Sequence, residues 1–108
     1  ERRPGGMSTS LEMRAEGGCL TAFGPLDYFH RLELEQELSR LCACELEAVT
    51  LDLSGVDFMD STAARFVLSA VARMSREGRK LCLVGARGQV RKMLCILGLE
   101  AVLEDLAR

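Results

Sequence analysis

The spacing of apolar residues along the chain changes period several times, and each change marks an element. Leu11, Met13, Cys19, Leu20 and Phe23 surround the turn signal EGG, which predicts a hairpin of two short strands. GPLD at 24–27 then breaks the second strand. Leu34, Leu38, Leu41 and Cys42 recur at helical spacing, so a first helix is expected to begin near His30. Its outward face would carry Glu33, Glu37 and Arg40, with Phe29 and Leu32 anchoring its start. From Ala48 the period is two: Val49, Leu51 and Leu53 point one way, Thr50 and Asp52 the other, and the dipeptide SG flanks the strand.

After Asp60 the period turns helical again. Ala63, Phe66 or Val67, Ala70, Val71 and Met74 share one side until REG stops the helix at Gly78. KLCLV at 80–84 is short, nearly continuously apolar and bounded by Gly85, the pattern of a strand covered on both faces. A third helix follows with Val90, Met93, Leu94 and Leu97 on one side, Gly98 as a left-handed cap and Leu99 folding back onto the last turn. The tail AVLEDLAR extends a strand or adds a short helix. Alternating strands and helices predict an α/β fold whose sheet is largely parallel in its second half and covered by helices. One domain is expected over 11–108, after a loose polar segment at 1–10 in which Met7 is a plausible natural start.

At 108 residues the chain is long enough for one core and too short for two. An apolar share of 48% and a charged share of 28% are those of an ordinary globular protein. Fourteen Lys and Arg against 16 Asp and Glu leave a net charge of -2, with no electrostatic footprint for nucleic acid or an anionic membrane. A protein partner is the expectation. No apolar run is long enough to span a bilayer, and no signal peptide precedes the first strand, so neither membrane insertion nor export is expected. Cys19, Cys42, Cys44, Cys82 and Cys95 lack the paired spacing of zinc or thioredoxin-like sites and read as reduced thiols, Cys82 and Cys95 within apolar patterns. The expected compartment is the cytoplasm.

The chemistry gathers where VTLDLSGVDFM gives way to DSTAARFVL, with Asp60, Ser61 and Thr62 at the seam. Asp60 and Ser61 are favourable N-terminal residues for any helix, and capping at about 1 kcal/mol is by itself a sufficient reason for them. Asp52, Asp57 and Asp60 do not read as a metal cluster, because Asp52 is an alternating strand residue and Asp57 is placed in a turn. His30, the only histidine, decorates the first helix, which leaves no Ser-His-Asp or Cys-His device and no catalytic residue to assign. GARG at 85–88 lacks the Lys-Ser/Thr of a P-loop and the third Gly of a dinucleotide fingerprint, so no cofactor is expected, and Arg87, Arg91 and Lys92 read as a solvated face. At about 100° per residue, Thr62, Arg65, Ser69, Arg73 and Arg76 fall on one stripe opposite the apolar side of the second helix.

The segment LDLSGVDFMDSTAARFVL, with GPLD before it and KLCLVGARGQVRKMLCILGLE after it, resembles the STAS family, the sulfate-transporter and anti-sigma factor antagonist domains, over residues 11–106. The resemblance implies a small mixed sheet with helices packed on it. It further implies a non-enzymatic bacterial antagonist that binds a serine-kinase anti-sigma factor, releases it on phosphorylation and is reset by a phosphatase. By the family's register Thr62 matches the phosphoacceptor, with Ser61 as second candidate, and Asp27, Asp60, Ser61, Arg65, Ser69 and Arg73 belong to the partner-binding surface. Family antagonists continue after the acceptor with a Gly-containing run. Here Ala63, Ala64 and Arg65 make a stiffer helix start, which favours a second reading: a binding module without a phosphoswitch, such as a subunit of a lipid-transport ABC system or a signalling scaffold. A small α/β enzyme or nucleotide-binding domain is a third.

Overall fold

The structure, a computed structural model, describes residues 10–104. The segment expected to be loose at 1–10 lies outside the described residues except for Ser10, as does the tail from 105 onward. The described part of that tail forms a 3-10 turn, Glu100–Val102, and a two-residue strand. Five strands form one sheet in sequential order: β1 (Glu12–Glu16), β2 (Cys19–Leu26), β3 (Ala48–Met59), β4 (Lys80–Val84) and β5 (Leu103–Glu104). β1 is antiparallel to β2, joined through Gly17 and Gly18, both at positive φ as a two-residue type I′ hairpin turn requires. Every other neighbouring pair is parallel. The crossovers carry α1 (Arg31–Ala43), α2 (Ser61–Arg76) and α3 (Gly88–Ile96). This is the single-domain mixed sheet with helices that the sequence predicts.

The three helices bury one face of the sheet. Leu20, Ala22 and Leu26 of β2, Val49, Leu51 and Leu53 of β3, and Leu81 and Leu83 of β4 form a single core with Leu34 and Leu38 of α1, Val67 and Met74 of α2, and Val90 and Leu94 of α3. Val67, not Phe66, is the buried member of that pair. Leu99 folds back as expected, its N–H donating to the Leu94 carbonyl at 3.1 Å. β4 departs from the expected coverage on both faces: Cys82 and Val84 point away from the helices and are only half-buried. Cys95 is half-buried as well, and Cys42 is the buried thiol. All five cysteines are free. Burial pushes the Cys42 and Cys82 thiols above their usual range, which keeps both protonated and weakly nucleophilic at neutral pH.

Two strands run further than their sequence suggests. β2 continues through Gly24-Pro25 and β3 through Ser54-Gly55, because the two strands keep pairing across register shifts between Thr21 and Phe23 and again between Gly24 and Pro25. Asp57 therefore lies in a strand and not in a turn. Phe29 and Leu32 do not anchor α1 but stand 85% and 66% exposed. The start of the helix is set by a 3-10 turn, Tyr28–His30, in which the His30 N–H donates to the Asp27 carbonyl at 3.0 Å. Arg31 donates to the Tyr28 carbonyl at 2.8 Å and lays its guanidinium 3.7 Å from the Tyr28 ring centroid.

Arg79, which sequence reasoning passed over, closes the opposite end of α1. Its guanidinium donates to the carbonyls of Cys42 (2.8 Å), Leu46 (3.0 Å) and Cys44, and to the Glu77 carboxylate at 2.7 Å. One fork thus takes up carbonyls that the helix end leaves without partners. Arg79→Ala is expected to lower stability by about 2 kcal/mol in urea titration, since hydrogen bonds to charged groups contribute about 1.5–3 kcal/mol and part is regained from water. Arg79→Lys should recover less than half, because an ammonium is a point donor that does not span three divergent carbonyls. A loss below about 0.5 kcal/mol in the alanine variant would show the clamp to be dispensable.

Candidate functional site

The junction between β3 and α2 is held from two sides. Asp60, in extended conformation, is the N-cap of α2. One carboxylate oxygen accepts from the Ala63 N–H at 3.0 Å, and the other accepts from the Tyr28 N–H at 2.9 Å. The same side chain therefore caps the helix and ties down the turn that follows β2. The Asp60 N–H also donates to the Leu26 carbonyl at 3.1 Å, extending the β2–β3 pairing by one bond. From the other side, the Gln89 amide accepts from the Met59 N–H at 3.0 Å and donates to the Met59 carbonyl at 2.7 Å, as a neighbouring strand would. Nothing in the sequence marks Gln89 for this role, since one polar side chain in the first turn of a helix has no periodicity or motif to reveal its target.

Ser61 and Thr62 occupy the first two positions of α2, Ser61 exposed and Thr62 half-buried. Neither hydroxyl has a hydrogen-bond partner among the described residues, so both are available to an incoming molecule. The Asp60 side chain takes the Ala63 amide and the Asp60 carbonyl accepts from the Ala64 N–H at 3.0 Å, at the positive end of a 16-residue helix. Such an end tolerates an added anion. Ala63 and Ala64 are fully buried against the core, so the helix start is rigid.

The other residues singled out from sequence fall in three places. Asp27 adjoins the junction through Tyr28, and its carboxylate pairs with the His30 imidazole at 2.7 Å instead of capping the turn. Arg65 is exposed on the outer side of α2. Ser69 and Arg73 line a groove against α1, with Arg73 in a long 3.8 Å ion pair to Glu77. Asp52 accepts from the Ser54 N–H and hydroxyl at 2.9 and 2.7 Å, and Asp57 stands exposed further along β3, so Asp52, Asp57 and Asp60 do not converge. Among the described residues no group of three or more metal-ligating side chains gathers. Also among them, no helix is long and apolar enough to cross a membrane.

The STAS domain family model matches residues 10–107. Comparison with curated protein sequences found no match. Among solved structures, the chain is similar to the anti-sigma factor antagonist SpoIIAA in its unphosphorylated form, with TM-score 0.73 and 17% identity over 92% of this chain and 90% of that one. The Bacillus SpoIIAA structure in the phosphorylated form gives TM-score 0.70 and 16% identity over 92% and 93% of the two chains. An anti-sigma factor antagonist from Mycobacterium paratuberculosis gives TM-score 0.73 and 22% identity over 92% and 86%. Part of SLC26A9 is also similar, at TM-score 0.54 and 21% identity over 80% of this chain and 17% of that much longer one. At these identities the structural likenesses establish the fold, and the family match accounts for nearly the whole length; the chain belongs to the STAS domain family.

Proposed function

We propose that this protein is an anti-sigma factor antagonist: a non-enzymatic cytoplasmic regulator that binds a serine-kinase anti-sigma factor through the start of α2 and the Tyr28–His30 turn. Phosphorylation of Thr62, with Ser61 as second candidate, releases the partner, and a phosphatase restores binding. The observation that carries this reading is the Asp60 carboxylate, which bonds both the first turn of α2 and the Tyr28 amide. It ties the start of α2, where the Ser61 and Thr62 hydroxyls have no hydrogen-bond partner among the described residues, to the turn that carries the exposed side chains of Tyr28 and Phe29. Exposed aromatic residues and hydroxyls that can accept a phosphate, on two segments tied to each other, suit a switchable protein interface. The likeness to SpoIIAA, solved in both unphosphorylated and phosphorylated forms, supports it.

In this reading the phosphate acts outward. It adds about −1.5 to −2 charge at a helix start that accommodates negative charge, so the host fold persists while a closely packed partner meets repulsion and a desolvation penalty. Arg65, one turn beyond Thr62, is placed to pair with the phosphate, and Arg73 and Ser69 supply polar contacts along the same helix. A second reading, a STAS binding module without a phosphoswitch, as in a lipid-transport ABC system or a signalling scaffold, is favoured by the buried Ala63-Ala64 start and by the likeness to a segment of SLC26A9.

Incubation with the anti-sigma factor kinase and ATP, followed by phosphosite mapping by mass spectrometry, separates the two. The antagonist reading expects a single phosphate on Thr62 and none on the Thr62→Ala variant. An unmodified Thr62 and Ser61 in a protein that still binds the kinase would transfer support to the second reading.

A further inference from the structure

Helices α1 and α2 lie side by side in the same direction: the Asp60–Tyr28 bond joins their starts, and Arg79 joins the α2–β4 turn to the end of α1. Between them runs an open groove of about 250 Å³, walled by Glu35 and Ser39 on α1 and by Phe66, Ser69 and Arg73 on α2, with Leu38 in its floor. At about 100° per residue, Leu32 continues the α1 wall one turn upstream of Glu35, and Thr62 continues the α2 wall one turn upstream of Phe66. The head of the groove is therefore framed by the exposed Leu32, at 66%, and by the Thr62 hydroxyl, which has no hydrogen-bond partner among the described residues.

We infer that this groove receives an amphipathic helix of the anti-sigma factor partner, seated so that the Thr62 phosphate blocks its first turn; this inference rests on the antagonist reading above. Three features select that occupant. The groove is smaller than the roughly 300–1,000 Å³ of common small-molecule sites and is open along its length, which suits side chains delivered by another protein. Its walls are helices with their backbone hydrogen bonds already made, so an extended strand would find no edge to pair with, whereas a helix presents side chains at the one-turn repeat of Leu32, Glu35 and Ser39. The walls are also of opposite sign, with Glu35 on one and Arg73 on the other, so the matching helix carries apolar residues along its seam, a basic residue toward α1 and an acidic residue toward α2. Ser69 and Arg73 of the α2 stripe thereby become part of one wall of a cleft, with the switch at the cleft's mouth.

The test uses the full chain and the purified anti-sigma factor kinase in isothermal titration calorimetry. Leu32→Lys and Ser69→Arg alter exposed side chains outside the core, so melting temperatures should remain those of the parent protein. Each should weaken kinase binding by at least about tenfold, while Lys92→Ala on α3 should bind as the parent does. In the complex, amide exchange should slow along both walls of the groove. Parental affinity in both groove variants, with the parent protein binding well, would overturn the groove and leave the antagonist reading standing. A parent protein that does not bind the kinase at all would overturn both.

Discussion

Gly85→Ala is expected to lower the stability of the domain by about 3 kcal/mol, with a fall in Tm of roughly 15 °C. Gly85 ends β4 at φ +79, a left-handed conformation that a side chain disfavours by about 1–2 kcal/mol. An added Cβ would also lie 2.7 Å from Ser54 Cβ, 2.8 Å from its N and 2.9 Å from its Cα. Ser54 has little freedom to retreat, since its N–H and hydroxyl are both held by the Asp52 carboxylate and its strand is the centre of the sheet. Overpacking of this kind adds about 1–3 kcal/mol. Gly78, just past the end of α2, is the control: its φ is +73, but a Cβ there would meet nothing within 4 Å. Gly78→Ala should therefore carry only the conformational part, about 1–2 kcal/mol. Equal losses for the two variants in urea titration would show that the close approach of Gly85 to Ser54 is not what makes the glycine necessary.

The fold was largely legible in the sequence because its signals are local. Val67, Ala70 and Met74 repeat at helical spacing, Gly17-Gly18 supplies a hairpin turn, and Leu99 follows the cap glycine Gly98 onto the helix it closes. What escaped depends on partners remote in sequence. SG and GP look like strand breakers, yet β2 and β3 absorb them because each strand provides the other's hydrogen bonds across the shifted register. Phe29 and Leu32 look like an apolar entry to α1, but Phe29 belongs to the 3-10 turn and Leu32 lies about 200° around the helix from buried Leu34, so both are exposed. Arg79 and Gln89 act through long side chains on backbone groups more than 29 positions away, and no periodicity encodes such a reach. At the site, the positions of Asp60, Ser61 and Thr62 could be read directly. The bond from Asp60 to Tyr28 and the division of the α2 stripe between an outer face, with Arg65, and a groove wall, with Ser69 and Arg73, required the folded chain.

Thr62→Glu should separate stability from binding. A carboxylate in the first turn of α2 meets the positive end of the helix dipole, worth about 0.3–1 kcal/mol, so the variant should melt no lower than the parent. The same carboxylate brings a charge to the head of the proposed interface, where a partner must strip its water without offering a matching cation. The expected loss in affinity for the anti-sigma factor is about 2 kcal/mol, roughly thirtyfold. Thr62→Ala removes a hydroxyl that makes no hydrogen bond among the described residues, so it should bind within about threefold of the parent. If alanine and glutamate at this position weaken binding equally, the hydroxyl's own contacts matter and charge does not.

The most direct measurement is calorimetric titration of the anti-sigma factor with protein phosphorylated at Thr62 and with the unmodified protein, each sample also being melted. The account predicts at least about a hundredfold weaker binding by the phosphorylated form, with Tm within about 2 °C of the unmodified form. Equal affinities, or a phosphate that unfolds the domain, would contradict it.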